Sequence, residues 1–302
     1  MLTTPKYIVG LGELLFDVID NRPILGGAPV NFAIQSHQVL KPHGFLGTTA
    51  VRIGNDELAM QAIKVLQNFG LSTEFVQRDQ THPTGTAIIH RQDDSHRFEI
   101  VEGVAWDEFE WNDQLATLCA NTAVVCFGTL GQRSPKSRKT VRQFIETATH
   151  ALRVFDVNLR QHYYDTDTIT HGCHHADVLK LNQEEVAVVA TALGIPPHQE
   201  DLKTCQTILA QANLQYVVYT QGEQGTSVIS TDGVTTDTPV HFPAAANADS
   251  VGAGDACTAG IIAGTLLELP LKKTVTLANT LGAFVASQPG ATPVLPPHLL
   301  PC

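Results

Sequence analysis

The chain is poor in charge, in aromatic residues and in paired cysteines. Only 16% of its 302 residues are Asp, Glu, Lys or Arg and 6% are aromatic, against 43% hydrophobic overall. A chain unable to collapse would be more charged and less apolar, so this balance, at mean hydropathy +0.00, belongs to a folded globular protein. Lys and Arg number 19 against 30 Asp and Glu, a formal net charge of −11. A surface that tracks nucleic-acid phosphates needs concentrated basic residues, so nucleic acid is not an expected partner. The same deficit leaves room for a small phosphorylated ligand, which a few backbone amides can hold locally. No apolar run approaches the roughly 18 to 20 residues that span a bilayer, so no membrane partner is expected. The opening MLTTPKYIVGLGELLFDVID has no basic n-region, and its apolar stretch carries Glu13 and Asp17, unlike a secretory leader. Cys119, Cys126, Cys173, Cys205, Cys257 and Cys302 form no C-x-x-C pair. That scatter suits reduced thiols in a cytoplasm better than a disulfide framework.

What is present alternates between strand-like and helix-like texture. The length allows roughly two domains or one large one. Tyr7–Val9 opens an apolar strand that runs on toward Ile19. Pro29 suits a first helical turn, with Val30, Ala33, Ile34 and Leu40 as its buried stripe. Asn55 is the expected N-cap of a second helix that Gly70 stops. Thr86–His90 and Arg97–Val101 flank Gln92-Asp93-Asp94-Ser95 as a hairpin. Ala123–Phe127, Leu152–Val157, Val178–Leu181 and Tyr216–Thr220 read as buried strands. Helical patterns begin near Ser134-Pro135, Asn182 and Glu200. A hairpin at Asp232-Gly233 and helices near Ala253–Leu267 and Lys273–Ser287 complete the chain. Short strands separated by helices imply right-handed crossovers and a mainly parallel sheet in one α/β domain.

Two segments carry chemistry. In Asp249-Ser250-Val251-Gly252-Ala253-Gly254-Asp255, glycines precede an apolar helix whose first amides and positive dipole end make an anion site. Asp255 in the first turn makes sense if it takes a proton from a hydroxyl that attacks phosphorus. Alone, the stretch is equally readable as a Gly-rich turn with an acidic cap. In Gly26-Gly27-Ala28-Pro29-Val30-Asn31-Phe32-Ala33, Asn31 offers donors and an acceptor for a polyol, although a tight loop with a capping Asn explains it as well. His171, Cys173, His174 and His175 match no usual zinc spacing and read as a surface helix end. Walker A, H-E-x-x-H and G-x-S-x-G motifs are absent.

These two segments resemble the paired signatures of the ribokinase-like, phosphofructokinase B-type carbohydrate kinases, GGAPxNxA and DxxGAGD, in their usual order. Gly12-Glu13-Leu14-Leu15-Phe16-Asp17 is similar to the family's opening strand, and Asp156-Val157-Asn158-Leu159-Arg160 to the DxNxR segment of its fructokinase branch. Asn182-Gln183-Glu184-Glu185 matches NxxE, and Thr220-Gln221-Gly222-Glu223-Gln224-Gly225 matches TxGxxG. The resemblance runs from about residue 8 to Gly290-Ala291.

The resemblance implies an α/β ribokinase-like fold, with a mainly parallel central sheet flanked by helices and a small β-sheet lid. Residues 1–302 would form a single kinase domain, with the lid drawn from about 17–25 and 84–103. It implies Asp255 as general base, with Gly252, Ala253, Gly254 and Arg160 stabilising the transferring phosphoryl group. Asp17, Gly26, Gly27, Asn31 and Asn158 would bind sugar, and Thr220, Gly222, Gly225, Gly254 and Asn279 the nucleotide. Asn182 and Glu185 would shape the Mg2+ environment indirectly, and Asp249 would border a monovalent-cation site, commonly K+. Arg91 and Phe98 are lid candidates for substrate contact. The implied reaction is ATP- and Mg2+-dependent phosphorylation of D-fructose to fructose 6-phosphate in the cytoplasm, with a homodimer formed through the lid. A kinase for ribose or 2-keto-3-deoxygluconate, and a non-catalytic sugar-binding regulator, stay open beside it.

Overall fold

The computed structural model describes residues 6–19, 22–92, 95–196 and 200–301. Asp20 of the expected lid, Asp93-Asp94 of the expected turn and Cys302 lie outside these residues, as do the side chains of Arg91 and Phe98.

The strands are β1 (Lys6–Gly12), β2 (Leu15–Ile19), β3 (Arg22–Gly26), β4 (Phe45–Ile53), β5 (Val76–Arg78), β6 (Gly85–Gln92) and β7 (Ser95–Ile100). They continue as β8 (Thr122–Phe127), β9 (Leu152–Asp156), β10 (Val178–Asn182), β11 (Tyr216–Thr220), β12 (Thr226–Ser230) and β13 (Gly233–Asp237). The helices are α1 (Ala28–Leu40), α2 (Glu57–Asn68), α3 (Asp113–Ala120), α4 (Pro135–Thr147), α5 (Thr166–His175), α6 (Gln183–Ala192), α7 (Asp201–Gln211), α8 (Ala253–Leu266) and α9 (Leu271–Ala286).

Nine of the described strands form one sheet in the order β13-β12-β11-β10-β9-β8-β1-β4-β5, parallel from β11 to β5 and closed at one edge by antiparallel β12 and β13. The central strands are apolar throughout because both faces are covered. Period-two alternation sorts their side chains into two cores. Val9, Val125, Phe155, Leu179 and Val217 join α3–α7, while Ile8, Val124, Val154, Val178 and Val218 join α8 and α9. The chain winds outward from β1 to β4 and β5, then returns to β8 and proceeds the other way. The direction therefore reverses between β1 and β8, and a crevice at such a reversal, beyond the strands' C-terminal ends, is where open α/β sheets take ligands.

A second sheet, β3-β2-β6-β7, pairs β2 with β6 in parallel and its other neighbours antiparallel. Leu15, Ala87, Ile100 and Trp106 form the small core beneath it. The strand expected from Tyr7 toward Ile19 is thus two strands in different sheets. Gly12, at φ 145°, and buried Glu13 break it, because the sheet's C-terminal edge is reached there. The cap of α2 is Asp56 rather than Asn55. The Asp56 carboxylate accepts the Ala59 amide at 2.8 Å, while Asn55 turns to Gln80. The remaining expected strands and helices are found within a residue or two of their predicted bounds.

Helix α1 lies unusually close to β1. A Cβ on Gly10 would come 1.9 Å from the Pro29 carbonyl oxygen, so only glycine lets the N-terminus of α1 settle there. Gly10→Ala is expected to lose about 3 kcal/mol of unfolding free energy through overpacking, measured by urea denaturation. Wild-type stability would show that α1 can move away without cost.

Candidate active site

The C-terminal ends of β1, β8, β9, β10 and β11 deliver Glu13, Gly128, Asp156–Arg160, Asn182 and Thr220 to one rim of the sheet. Two helix N-termini point into the same rim. One belongs to α8, capped by Gly252 at φ 78°, a left-handed conformation that glycine adopts without strain. A Cβ at Gly252 would also meet the Ala291 carbonyl at 2.4 Å. The other belongs to α1, where the Val30 and Asn31 amides both donate to the Gly27 carbonyl at 3.0 Å. These helix ends meet in a buried hydrogen bond 224 residues apart in sequence, from Asn31 Nδ2 to Asp255 Oδ2 at 2.9 Å.

Asp255 is buried in the first turn of α8. Burial pushes its carboxyl up to about 6, and the Asp156 charge pushes the same way; Lys180, Asn31 and Arg160 oppose them. The Asn31 Oδ1 has no hydrogen-bond partner among the described residues, which leaves a buried acceptor beside Asp255. Of the three amides expected in the anion cradle, that of Ala253 turns back to the Ser250 carbonyl at 3.2 Å. The Gly252 and Gly254 amides make no such bond among the described residues.

Beneath Gly254 lies a group that sequence reading missed. Lys180, buried on β10, donates to Asp156 Oδ1 at 2.9 Å, and its Nζ sits 3.1 Å from where a Gly254 Cβ would project. The Thr258 hydroxyl links Asp156 Oδ2, at 3.4 Å, to the Gly254 carbonyl, at 3.0 Å. A lysine within an otherwise apolar strand was the only available signal. Glu13 stands at the same rim, with no role implied by the resemblance. It is buried, its Oε2 has no hydrogen-bond partner among the described residues, and burial raises its carboxyl to about 7 against the pull of Arg160 and Arg133.

The other expected residues gather around this centre. Asp17 stands on β2 with its carboxylate 2.8 Å from where a Gly26 Cβ would fall, so Gly26 makes room for it. Burial raises the Asp17 carboxyl, with Arg160 opposing. Arg160 is exposed, and Asn158 takes φ 41°, a conformation asparagine tolerates. Asn182 and Glu185 form a capping box. Asn182 Oδ1 accepts the Glu184 and Glu185 amides, and Glu185 Oε2 accepts the Asn182 amide at 2.9 Å. Glu185 Oε1 also accepts the Leu159 amide at 2.8 Å, which ties β10 to the loop bearing Asn158 and Arg160. Both carboxylate oxygens are thus already engaged by backbone. Asp249 accepts the Val251 and Gly290 amides and so joins the loop before α8 to the segment after α9.

Thr220, Gly222, Gly225, Gly254 and Asn279 line one cavity of about 730 Å³ on the β11 side of α8. Its far wall is apolar, with Val240, Phe242, Ala278 and Ala283. Asn279 donates to the Asp237 carbonyl at 2.8 Å, so its amide braces the wall. Of the four residues considered and rejected as a metal cluster, Cys173 faces the core and His174 faces solvent, so the four do not converge.

The chain is 24% identical to a fructokinase of Escherichia coli over 95% of both chains, and 27% identical to a fructokinase of Salmonella typhimurium over 90% of this chain and 88% of that one. Its fold matches the crystal structure of a fructokinase with bound ATP from Xylella fastidiosa, with TM-score 0.81 and 19% identity over 98% and 95% of the two chains. It also matches a fructokinase from Vibrio cholerae O395 in fructose-, ADP- and calcium-bound form, with TM-score 0.76 and 20% identity over 97% and 96%. The pfkB family carbohydrate kinase model matches residues 9–297. With that span, and with its two helix N-termini joined through Asn31 and Asp255 at the sheet's C-terminal rim, the chain belongs to the pfkB family of carbohydrate kinases.

Proposed function

We propose that this kinase transfers the γ-phosphoryl group of ATP to a hydroxyl of free D-fructose, giving fructose 6-phosphate and ADP. The observation that carries the reading is Asp255: a buried carboxylate in the first turn of α8, bonded to Asn31 and adjoining the Gly254-lined cavity. Asp255 takes the proton as the sugar oxygen attacks the γ-phosphorus and the bond to the ADP oxygen breaks. The Gly252 and Gly254 amides and the α8 dipole stabilise charge on the equatorial oxygens, and Arg160 reaches the same phosphoryl group from the loop after β9. Ala253 contributes through the shape of the turn. Asp17, Asn31 and Asn158 hold the sugar hydroxyls, with Gly26 and Gly27 leaving room for them. The cavity lined by Thr220, Gly222, Gly225 and Asn279 takes the nucleotide, its apolar wall suiting a purine.

Mg2+ brought in with ATP would supply charge neutralisation at the phosphates. Asn182 and Glu185 shape its surroundings by fixing the loop after β9, and Asp249 borders a monovalent-cation site such as K+. The small sheet acts as a lid of the single kinase domain that excludes water, with Asp17 coupling the sugar to it. A homodimer formed through that lid and a cytoplasmic location complete the reading. In its support, no helix among the described residues is long and apolar enough to cross a membrane, and five cysteines are free and buried. The fructokinases among the relatives favour fructose over ribose or 2-keto-3-deoxygluconate.

An ADP-release assay over fructose, ribose and 2-keto-3-deoxygluconate tests this. Fructose is expected to turn over fastest, and Asp255→Asn to lower kcat by about 100-fold or more, the scale of a lost general base. Undiminished turnover by Asp255→Asn removes the proposed base. Faster turnover of another sugar corrects only the substrate, and sugar binding without turnover in the wild type favours a regulator.

The buried Asp156–Lys180 pair gives a second prediction. Lys180→Met leaves Asp156 unpaired and is expected to cost about 3–5 kcal/mol of stability. Adding Asp156→Leu removes the stranded charge, so urea denaturation is expected to return near wild type while turnover stays low. Recovery of both would make the pair purely structural.

A further inference from the structure

The last turns of α4 and α5 bring three metal-ligating side chains together away from the Asp255 site. His171 and His175 lie one turn apart on α5, their rings stacked with centroids 4.0 Å apart and planes 17° from parallel. Glu146, in the last turn of α4, meets His171 Nε2 through Oε1 at 2.8 Å. One ligand atom from each residue fits within a 4.8 Å span. We propose that Glu146, His171 and His175 form a site for a divalent transition metal of the zinc type.

Four observations carry this. First, two imidazoles and a carboxylate suit zinc, cobalt, nickel or copper, not the all-oxygen shells of magnesium or calcium. Second, His175 Nδ1 lies 2.9 Å from the His171 carbonyl, the backbone contact that directs the opposite ring nitrogen toward a metal. Third, His171 Nδ1 is buried and unpartnered, so the present contacts leave this ring short of a hydrogen bond. Fourth, both helices end here, and their C-terminal dipole ends favour a cation. Arg142, whose charge acts on His171, is itself paired to Asp167 at 2.7 Å.

Donors about 2.1 Å from a tetrahedral ion stand roughly 3.4 Å apart. The three ligand atoms already lie within 4.8 Å of one another, and the Glu146 side chain, half exposed, has room to adjust toward such a geometry. With three protein ligands, a fourth tetrahedral position would be left to water. Cys173 and His174, the cluster's neighbours in sequence, point elsewhere, so sequence spacing could not define the site. Glu146 lies 25 residues before His171 and enters only through the fold.

The test is calorimetric titration of chelator-treated full-length protein with Zn2+, with Co2+ absorption as a second readout. One ion per chain is expected. Glu146→Gln and His175→Ala are each expected to weaken binding by about 10-fold or more, while His174→Ala leaves it unchanged. Zn2+ is expected to raise Tm less wherever one of the three ligands is replaced. Far-UV circular dichroism identifies any variant that fails to fold, in which case His175→Gln replaces it. No binding by the wild type, or wild-type affinity in folded Glu146 and His175 variants, overturns the proposal.

Discussion

A negative charge held away from water at the start of α8 is the constraint around which the rest of the site is arranged. Burial pushes Asp255 toward its protonated form, and the Asp156 charge pushes the same way. A neutral acid cannot accept a proton, so opposing groups must be built in. Asn31 donates to Asp255 from α1, Lys180 lies below from β10, and Arg160 stands across the rim. Each comes from a different element, and each needs its element at a fixed height. That is why the close approach of α1 to β1 at Gly10 and the cap at Gly252 have chemical as well as packing consequences.

The sheet meets this requirement with ordinary means. Parallel strands buried on both faces end together, and the reversal of winding between β1 and β8 opens the crevice. Loops beyond those ends are then tied by backbone-directed carboxylates rather than by many side-chain pairs. Glu185 holds the Leu159 amide, and Asp249 holds those of Val251 and Gly290. Asp156 and Lys180 connect the strand layer to α8 through Thr258.

What could be read from sequence was whatever chemistry is local. Gly252-Ala253-Gly254-Asp255 before an apolar helix could be read as an anion site because its amides and carboxylate lie within one turn, although an acidic cap on a Gly-rich turn read equally well. Strands β8 to β11 were legible because each is largely an apolar run, whereas β4, whose buried middle holds Gly47, Thr48 and Thr49, was not among the strands expected. The break at Gly12-Glu13 was not, because apolar residues flank it on both sides and only sheet membership changes. Asp56 outcompeted Asn55 as a cap because Thr84, distant in sequence, gives Asp56 further hydrogen bonds. Lys180 could not be placed under Gly254 without knowing that β10 runs beneath α8. Motif order, not local pattern, gave Asn182 and Glu185 their importance, and the fold reveals the capping box that unites them.

The most direct test of a buried, ionised Asp255 as the base is the pH dependence of kcat/KM for sugar phosphorylation. The group must be deprotonated in the free enzyme, and its carboxyl lies at about 6. Activity should therefore fall as pH is lowered through about 6 and level off above it. A rate that is flat from about pH 7 down to the ordinary carboxylate range near 4 would contradict the account.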